Sequence, residues 1–336
     1  MIEILSPSGH ASVQDSGRFG HRHVGIGSSG TMDGLALSIG NLLLGNDMNA
    51  AGIECPGVPV RMRFLQDTAF ALTGADAGAT LAGRPIPADW RDFARAGDVL
   101  SLDHAKRGVY SYVTIAGGID VPLVLGSRST HLRGVFGGHE GRMLRPGDRL
   151  PAGRSDTGAA SFGVIAPDEA LPLDLAPEGA TTVRVLLAAE YDYFTREAQA
   201  ALWSTPWKIS SQSNRAGYRL MGPDLALAQP VEMRSHGLVP GVIQGPAGGQ
   251  PIIQLADAYT AGGYPKIGVV IEPDLWRIAQ TPLGGTLRFR SCNHAEALAA
   301  YDAMQAHLHR ILLWIGTCGA DLAEAARFDP DAKSAA

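Results

Sequence analysis

Two short polar segments contain residue types that can bind and activate an amide or a carboxylate. The longer one, from Ser210 to Leu220 (SSQSNRAGYRL), combines two arginines, two amides and a tyrosine with almost no apolar residue. The guanidinium groups of Arg215 and Arg219 are fixed, planar donors suited to a carboxylate, carboxamide or phosphate. Ser213 and Asn214 can both donate and accept hydrogen bonds. The alternative interpretation is a solvated loop, the usual role of a run of Ser and Asn.

The second segment, Gln14 to Gly20 (QDSGRFG), lies near the N-terminus. Both segments present a Gln, then an Asp or Asn, then an Arg, and then a Gly beside an aromatic residue. This parallel indicates a weak internal repeat of two related halves. Small-molecule sites form preferentially between domains, so we expect the two loops to converge on one cleft.

Several carboxylates border glycine-rich segments and could act as a general base or a ligand anchor. Asp33 and Glu54 belong to the first half, and Asp257 belongs to the second. Each is also typical of a turn or surface carboxylate. Asp33 has a further alternative, because it can cap a helix whose N-terminal N–H groups would otherwise favour an anion.

Two further segments are rich in glycine and polar residues. The stretch from Gly126 to Arg142 (GSRSTHLRGVFGGHEGR) could bind an anion through backbone N–H groups and Arg128, or form a structured turn. The stretch from Asp257 to Pro265 (DAYTAGGYP) offers Tyr264 as a flat wall with a hydroxyl group, or forms a tight hairpin.

Composition excludes several classes of function. A net charge of −5 and a pI near 6.0 argue against nucleic-acid binding. The glycines of Gly25 to Gly30 match a dinucleotide fingerprint, but the buried strand that should precede it is missing. The ten histidines show no metal-binding spacing. Three widely spaced cysteines, no signal peptide and no long apolar run predict a soluble cytoplasmic protein.

The organisation predicted from 336 residues is two lobes. The first lobe spans 1–150 and the second spans 181–292. A linker at 151–180 joins them, and a helical extension follows at 293–327. Apolar periodicity predicts helices over 32–44, 193–202 and 296–314. Alternating or short apolar runs predict strands over 69–73, 110–115, 183–187, 250–255, 268–271 and 286–290. The last residues, 329–336, are predicted to be disordered.

Six segments together resemble one family, the C subunits of 5-oxoprolinases, with the related allophanate hydrolase subunit 2 and the carboxyltransferase region of urea amidolyase. These segments are Val13–Arg18, Ser29–Asp33, Asn41 with Gly45–Asn46, Gly126–Thr130, Ser213–Leu220 and Gly262–Pro265. They occur in order between Met1 and about Arg290. The sequence departs from the family at Gly27, where proline is usual. It departs again at Tyr259-Thr260-Ala261, where Gln-Thr-Thr is usual, and the lost amide implies altered recognition or a changed substrate.

The resemblance implies a mainly β fold with a few helices, made of two tandem cyclophilin-like β-barrel lobes plus a C-terminal helix. It implies a component of an ATP-dependent 5-oxoprolinase that opens 5-oxoproline to glutamate together with a B-type chain and an A-type chain. Two alternatives stay open. One is the carboxyltransferase part of a biotin-dependent urea or amide carboxylase, for which partners must supply biotin, because the chain has no Ala-Met-Lys-Met segment. The other is a non-enzymatic regulator that binds a kinase-inhibitor-like partner.

Under the oxoprolinase interpretation, Asp15 or Asp257 is the acid/base candidate. Arg215, Arg219 and Arg18 hold carboxylate or phosphoryl charge. The complete set of predicted catalytic residues is Asp15, Asp257 and Arg215. The predicted substrate-binding residues are Gln14, Arg18, Asp33, Glu54, Arg128, Ser213, Asn214, Tyr218, Arg219, Gln244 and Tyr264. No metal ligand is predicted.

Overall fold

A computed structural model describes residues 1–6, 10–57, 59–153, 158–173, 179–246 and 249–317. The chain divides into two compact units. Unit 1 comprises Met1–Gly20, Ser29–Ala170 and the chain from Ala306 onward, and unit 2 comprises His21–Ser28 and Leu171–Gln305. The predicted disorder at 329–336, the end of the predicted extension at 318–327, and parts of the predicted linker (154–157 and 174–178) lie outside the described residues.

Unit 1 is built on two antiparallel sheets. Its strands are β1 (Ile2–Ser6), β2 (Ser12–Gln14), β3 (Gly52–Pro56), β4 (Val60–Phe64), β5 (Thr68–Asp76), β6 (Thr80–Leu81), β7 (Arg84–Pro85), β8 (Trp90–Ala94), β9 (Val99–Leu102), β10 (Arg107–Ile115), β11 (Arg149–Leu150) and β12 (Phe162–Gly163). Sheet A has the order β11-β1-β4-β9-β6-β7, and sheet B has the order β12-β8-β5-β10-β3-β2. Strand β4 (VRMRF) shows why these residues form strands, because its apolar residues are buried and its arginines exposed in strict alternation.

The apolar faces of the two sheets share one hydrophobic core. Sheet A contributes residues such as Ile4 and Phe64, and sheet B contributes residues such as Phe70 and Val113. The rings of Phe64 and Phe70 are in contact, with centroids 5.0 Å apart. Burial of these side chains is the main term stabilising unit 1.

The opposite face of sheet B is polar and is covered by helix α1 (Gly34–Leu43). Asp33 caps this helix by accepting a hydrogen bond from the Ala36 N–H at 2.9 Å. Gly40 allows the close approach, because a Cβ at this position would lie 2.8 Å from Thr114 Oγ1. The Thr73 hydroxyl donates to the Ala36 carbonyl at 2.7 Å, so the sheet and the helix are joined by hydrogen bonds as well as by packing.

Unit 2 contains a closed barrel. Its strands are β13 (Thr181–Leu187), β14 (Trp207–Ile209), β15 (Gly217–Met221), β17 (Val242–Gln244), β18 (Ile252–Gln254), β20 (Lys266–Val270) and β21 (Thr286–Ser291), and a separate ribbon is formed by β16 (His236–Gly237) and β19 (Ala261–Gly262). The barrel runs β13-β20-β17-β18-β15-β14-β21. The first and last of these strands close it by pairing in parallel, with Thr181 opposite Leu287.

Helices complete the two units. Besides α1 they are α2 (Pro167–Ala170), α3 (Arg196–Ser204), α4 (Leu275–Ala279) and α5 (His294–Thr317), with 3-10 turns at Arg22–Val24, Tyr191–Tyr193 and Glu272–Asp274. The predicted mainly β fold is confirmed, as are the three predicted helices and the six predicted strands, with end shifts of a few residues. Within the predicted linker, β12 pairs with β8. Among the described residues no helix is both long enough and apolar enough to cross a membrane.

Truncating the core at Phe70 tests this account of unit 1. Phe70 is fully buried, so we expect Phe70→Ala to lower the free energy of unfolding of unit 1 by about 3–5 kcal/mol. Phe19, which is 56% exposed, provides the control, and Phe19→Ala should change it by about 0.5 kcal/mol or less. Denaturant unfolding followed by circular dichroism measures both, and equal effects would contradict the assigned core.

Candidate functional site

The carboxylate of Asp15 joins two polar loops of unit 1. Its Oδ1 atom accepts hydrogen bonds from the Ser127 hydroxyl at 2.7 Å, the Ser129 hydroxyl at 2.5 Å and the Gly17 N–H at 2.8 Å. Its Oδ2 atom accepts from the Arg128 N–H at 2.5 Å. The group is buried, so these four donors replace its hydration. Both oxygens are thus engaged in holding the loops together.

The two arginines predicted for this region have different surroundings. Arg128 donates to the Val121 carbonyl at 2.9 Å and forms an ion pair with Asp120 at 2.9 Å. Arg18 is 1% exposed and donates to the Ser129 carbonyl at 2.6 Å. Its guanidinium lies over the Phe136 ring, 4.8 Å from the centroid. Arg18, rather than Arg128, therefore brings positive charge into the interior of unit 1.

A cavity of about 340 Å³ opens beside these loops. Its lining consists of Val121, Pro122, Val124, Phe136, Gly137, Gly138, His139, Glu140 and Gly141. Arg18 contacts this wall through Phe136 and through the Val124 carbonyl, at 3.5 Å. The volume is in the range of natural small-ligand pockets, about 300–1,000 Å³.

A second polar cluster of unit 1 lies on sheet B beneath α1. The Tyr112 hydroxyl donates to Glu54 Oε2 at 2.8 Å and accepts from the Asp33 N–H at 2.8 Å. Glu54 Oε2 also accepts from the Met32 N–H at 2.8 Å. Burial, with Glu54 and Asp33 nearby, raises the pKa of Tyr112 well above its usual value. Both carboxylates thus accept N–H groups at the start of α1, which supports the capping alternative over an anion site.

Gln14 lies on the face of sheet B that also carries Ser12 and Glu54. Within the described chain, its side chain makes no hydrogen bond to the loops that Asp15 joins. Its Nε2 atom donates to the Ser12 hydroxyl at 2.9 Å. Its Oε1 atom is buried and has no hydrogen-bond partner in the described part of the chain. An ordered water is the usual partner for such an atom.

Asp89, which no sequence pattern singled out, is the most perturbed carboxyl of this region. It is buried, adopts a left-handed backbone with φ of 53°, and accepts from the Gly74 N–H at 3.3 Å. Burial, with Asp33 nearby, raises the pKa of Asp89 to about 7. Its local sequence gives no signal, because an Asp just before a strand is typical of a turn.

In unit 2 the polar segment after β14 forms a tight turn that holds an ion pair. The Asn214 side chain accepts from the Ala216 N–H at 2.9 Å, which fixes the turn. Arg215 Nε donates to Asp257 Oδ2 at 2.9 Å, and the Asp257 N–H donates to the Arg215 carbonyl at 3.0 Å. The side chains are only 11% and 18% exposed. Two residues predicted separately are thus brought together by the pairing of β15 with β18.

The other predicted residues of unit 2 fall into three settings. Arg219 is exposed, and its N–H and carbonyl both bond the Ser213 hydroxyl. Tyr218 is buried in the barrel wall. Gln244 accepts from Gln254 at 2.9 Å and donates to the Tyr264 carbonyl at 3.3 Å, while the Tyr264 side chain is 49% exposed.

The two polar segments occupy different places in their units. Gln14 to Gly20 follows an edge strand and precedes a helix, whereas Ser210 to Leu220 joins two barrel strands after a helix. The repeat suggested by their composition stays a prediction. In the described residues, no group of three or more His, Cys, Asp or Glu is placed to hold a metal ion.

Substitution of Asp15 tests its role in joining the loops. Asp15→Asn replaces an acceptor oxygen by an N–H₂ group that must face a donor, so we expect the free energy of unfolding to fall by about 2–4 kcal/mol. Asp120, whose side chain is 58% exposed, is the control. Asp120→Asn should cost about 1 kcal/mol or less. Denaturant titration compares them, and a neutral Asp15→Asn would refute the assignment.

The raised pKa of Asp89 predicts how stability depends on pH. Between about pH 4 and 7 the unfolded chain releases the Asp89 proton while the folded chain retains it. Stability should therefore fall as pH rises through this window, by up to about 1.4 kcal/mol per pH unit, and level off above it. Asn tolerates a left-handed backbone and keeps the acceptor oxygen. The stability of Asp89→Asn relative to the parent should thus rise from pH 4 to 7. Denaturant unfolding at several pH values measures both proteins, and parallel plots of the free energy of unfolding against pH would contradict this.

A family model and two curated relatives match this chain over most of its length. The family model described as carboxyltransferase domain, subdomain A and B, matches residues 24–291. The chain is 43% identical to the C subunit of 5-oxoprolinase from Escherichia coli, over 93% of this chain and 97% of that protein. It is 42% identical to the corresponding 5-oxoprolinase subunit of Haemophilus influenzae, with the same coverage.

Among solved structures, the urea amidolyase of K. lactis superposes with a TM-score of 0.83 at 28% identity. The match covers 92% of this chain but only 20% of that much longer one. The matched family model and the two near full-length relatives establish that the chain belongs to the carboxyltransferase domain, subdomain A and B, family that includes the 5-oxoprolinase C subunits.

Proposed function

We propose that this chain is the C subunit of an ATP-dependent 5-oxoprolinase, which acts with a B-type chain and an A-type chain. The observation that carries the proposal is the 43% identity to the C subunit of 5-oxoprolinase from Escherichia coli, across 97% of that protein's length. A match over nearly the whole length, rather than over one motif, supports a shared role in a shared assembly.

The reaction is the opening of a five-membered lactam to glutamate. An unstrained lactam carbonyl needs activation before water attacks, and ATP supplies that activation in the assembled enzyme. This chain would bind and orient the lactam and move a proton. The groups suited to those tasks are an arginine for negative charge, an amide for orientation and a carboxylate for proton transfer.

The structure favours Asp257 over Asp15 as the acid/base candidate. Asp15 is buried, and the four donors on its two oxygens hold the loops of unit 1 together. Asp257 is partly exposed and is held by the guanidinium of Arg215. We therefore propose that Arg215 positions Asp257, and that Asn214 on the same turn orients the amide.

The start of α1 does not fit a nucleoside triphosphate. The N-terminus of α1, the natural place for phosphate, is occupied by the carboxylates of Asp33 and Glu54. The sequence also has no lysine-bearing phosphate loop. We propose that a partner chain binds ATP, and no step of the reaction is assigned to ATP within this chain.

A second candidate function is carboxyl transfer to urea or another amide. It is supported by the superposition on K. lactis urea amidolyase. Under this alternative the same fold would receive a carboxyl group from biotin carried by a partner. Tyr259 and Ala261, which replace residues usual in the family, lie in or beside β19 and are exposed. They are the positions at which we propose that substrate preference differs.

Reconstitution tests the proposal. The chain is co-expressed with candidate B-type and A-type chains, and ADP and glutamate release are measured with 5-oxoproline and separately with urea plus bicarbonate. We expect ADP and glutamate release that require 5-oxoproline and this chain. Turnover only with urea, bicarbonate and a biotin-bearing partner would favour carboxyl transfer. A stable complex without turnover of either substrate would refute both and favour a regulatory role.

Within the same complex, Arg215→Ala should lower kcat/KM for 5-oxoproline by about 10–100-fold, because a charge-assisted hydrogen bond contributes about 1.5–3 kcal/mol. Asp257→Asn should lower kcat at least as much. Arg196 is the matched control, since its guanidinium bonds only Gln199 in α3 among the described residues. Activity unchanged in Arg215→Ala, or lowered equally in Arg196→Ala, would exclude the assigned pair.

A further inference from the structure

The connection between β18 and β20 crosses the outer face of the barrel in unit 2. Both strands pair antiparallel with β17, which lies between them, so they run parallel to each other. Parallel strands cannot be joined by a tight turn, so residues 255–265 must pass over β17. The interior of the barrel is closed to them, because Ile243 and Ile253 are paired and fully buried there. Asp257, the acid/base candidate, belongs to this connection.

Gln244 lies beneath this connection and is hydrogen-bonded to both of its ends. Its Oε1 atom accepts from Gln254 Nε2 at 2.9 Å, directly before the connection begins. Its Nε2 atom donates to the carbonyl of Tyr264, near the end of the connection, at 3.3 Å. Alternation along the strands places Gln244 and Gln254 on the outer face of the barrel, yet they are only 4% and 6% exposed. Buried amides of this kind are stable only where their hydrogen bonds are made.

Gly262, within the connection, packs directly on the Gln244 amide. A Cβ built on Gly262 would lie 2.8 Å from Gln244 Nε2 and 2.9 Å from Leu238 Cδ1. Glycine therefore allows β19 to approach the barrel this closely. A Cβ built on Gly237, in the paired strand β16, would meet no described atom within 4 Å. The close contact is thus particular to the position above Gln244.

The start of the connection is also fixed to the turn that carries Arg215. Gln254, the last residue of β18, pairs with Gly217 at the end of that turn. The Asp257 N–H then donates to the Arg215 carbonyl at 3.0 Å. Because only two residues separate Gln254 from Asp257, a displacement of Gln254 would also displace Asp257 and its ion pair.

We propose that Gln244 is a positioning residue for the reaction, and that its hydrogen bonds to Gln254 and Tyr264 determine where Asp257 lies over the barrel. The proposal rests on the function proposed above, in which Asp257 transfers a proton. The role is separate from the substrate contact predicted for Gln244 from the sequence. A misplacement of about 1 Å, caused by a change far from the chemistry, can lower a rate about 100-fold. Two hydrogen bonds beneath the connection are therefore enough to control the reaction.

Hydrogen–deuterium exchange of the full chain tests the positioning independently of the reaction. Gln244→Met keeps the length of the side chain and removes both bonds. We therefore expect exchange in peptides spanning 255–265 to become faster by about tenfold or more. Gln199→Met is the matched control, because Gln199 is 6% exposed, donates to two backbone carbonyls and lies in α3. It should change exchange in 255–265 by about twofold or less. Unchanged exchange in a folded Gln244→Met, or equal acceleration by both variants, overturns the proposal.

A pair of glycine variants displaces the amide without removing it, and decides the question if Gln244→Met does not fold. The Cβ of Gly262→Ala would take the place of Gln244 Nε2, so exchange in 255–265 should become faster, as in Gln244→Met. Gly237→Ala adds the same methyl group to the ribbon without a close contact and should leave exchange unchanged. If Gly237→Ala matched Gly262→Ala, or if neither had an effect, the proposal would be overturned.

Kinetics of the reconstituted complex separate the positioning role from the proposed function. Gln244→Met should lower kcat for 5-oxoproline by about tenfold or more and change KM by about threefold or less, because Asp257 serves the chemical step. Gln199→Met should change neither. In an active complex, an unchanged kcat, with or without a raised KM, overturns the positioning role and leaves the proposed function intact. Faster exchange in 255–265 of Gln244→Met, when the parent complex does not hydrolyse 5-oxoproline, supports the positioning of Asp257 and refutes the proposed function.

Discussion

The buried carboxylate of Asp15 determines the arrangement of the polar loops of unit 1. A carboxylate taken out of water is tolerated only when its oxygens are fully hydrogen-bonded, and here two hydroxyls and two N–H groups meet that requirement. Because those donors come from residues more than 100 positions apart in sequence, this one group joins the Gly17 loop to the segment Ser127–Ser129. The position of Arg18, and with it one side of the cavity, follows from that connection.

The same requirement explains the face of sheet B beneath α1. Ser12, Glu54, Tyr112 and Thr73 form one row across neighbouring strands, and helix α1 covers them. A polar face under a helix is stable only if partners are provided, which here are the helix N-terminus, the Ala36 carbonyl and the Tyr112 hydroxyl. Such a network fixes one position of the helix on the sheet more strictly than apolar packing alone.

Sequence reasoning predicted what depends on local pattern. The helices came from apolar periodicity, most strands from alternation, and the family from six ordered segments. The contacts that it missed join distant residues. Asp15 and Asp257 were both acid/base candidates from the sequence, yet one is enclosed by donors and the other is partly open, because different residues lie beside them in the fold. The glycine-rich sequence around Arg128 predicted that this arginine would bind an anion. In the structure Asp120 and the Val121 carbonyl bond its guanidinium, and Arg18 contacts the cavity wall instead.

The parallel pairing of β13 with β21 has a consequence for synthesis of the chain. The two strands that close the barrel are separated by about a hundred residues, so β13 leaves the ribosome long before its partner exists. Until Thr286–Ser291 is made, β13 and β14 each have an open edge, which is the geometry that promotes strand exchange between nascent chains. A chain interrupted in this interval would expose both of these unpaired strand edges, so its synthesis passes through a stage that favours association with other nascent chains.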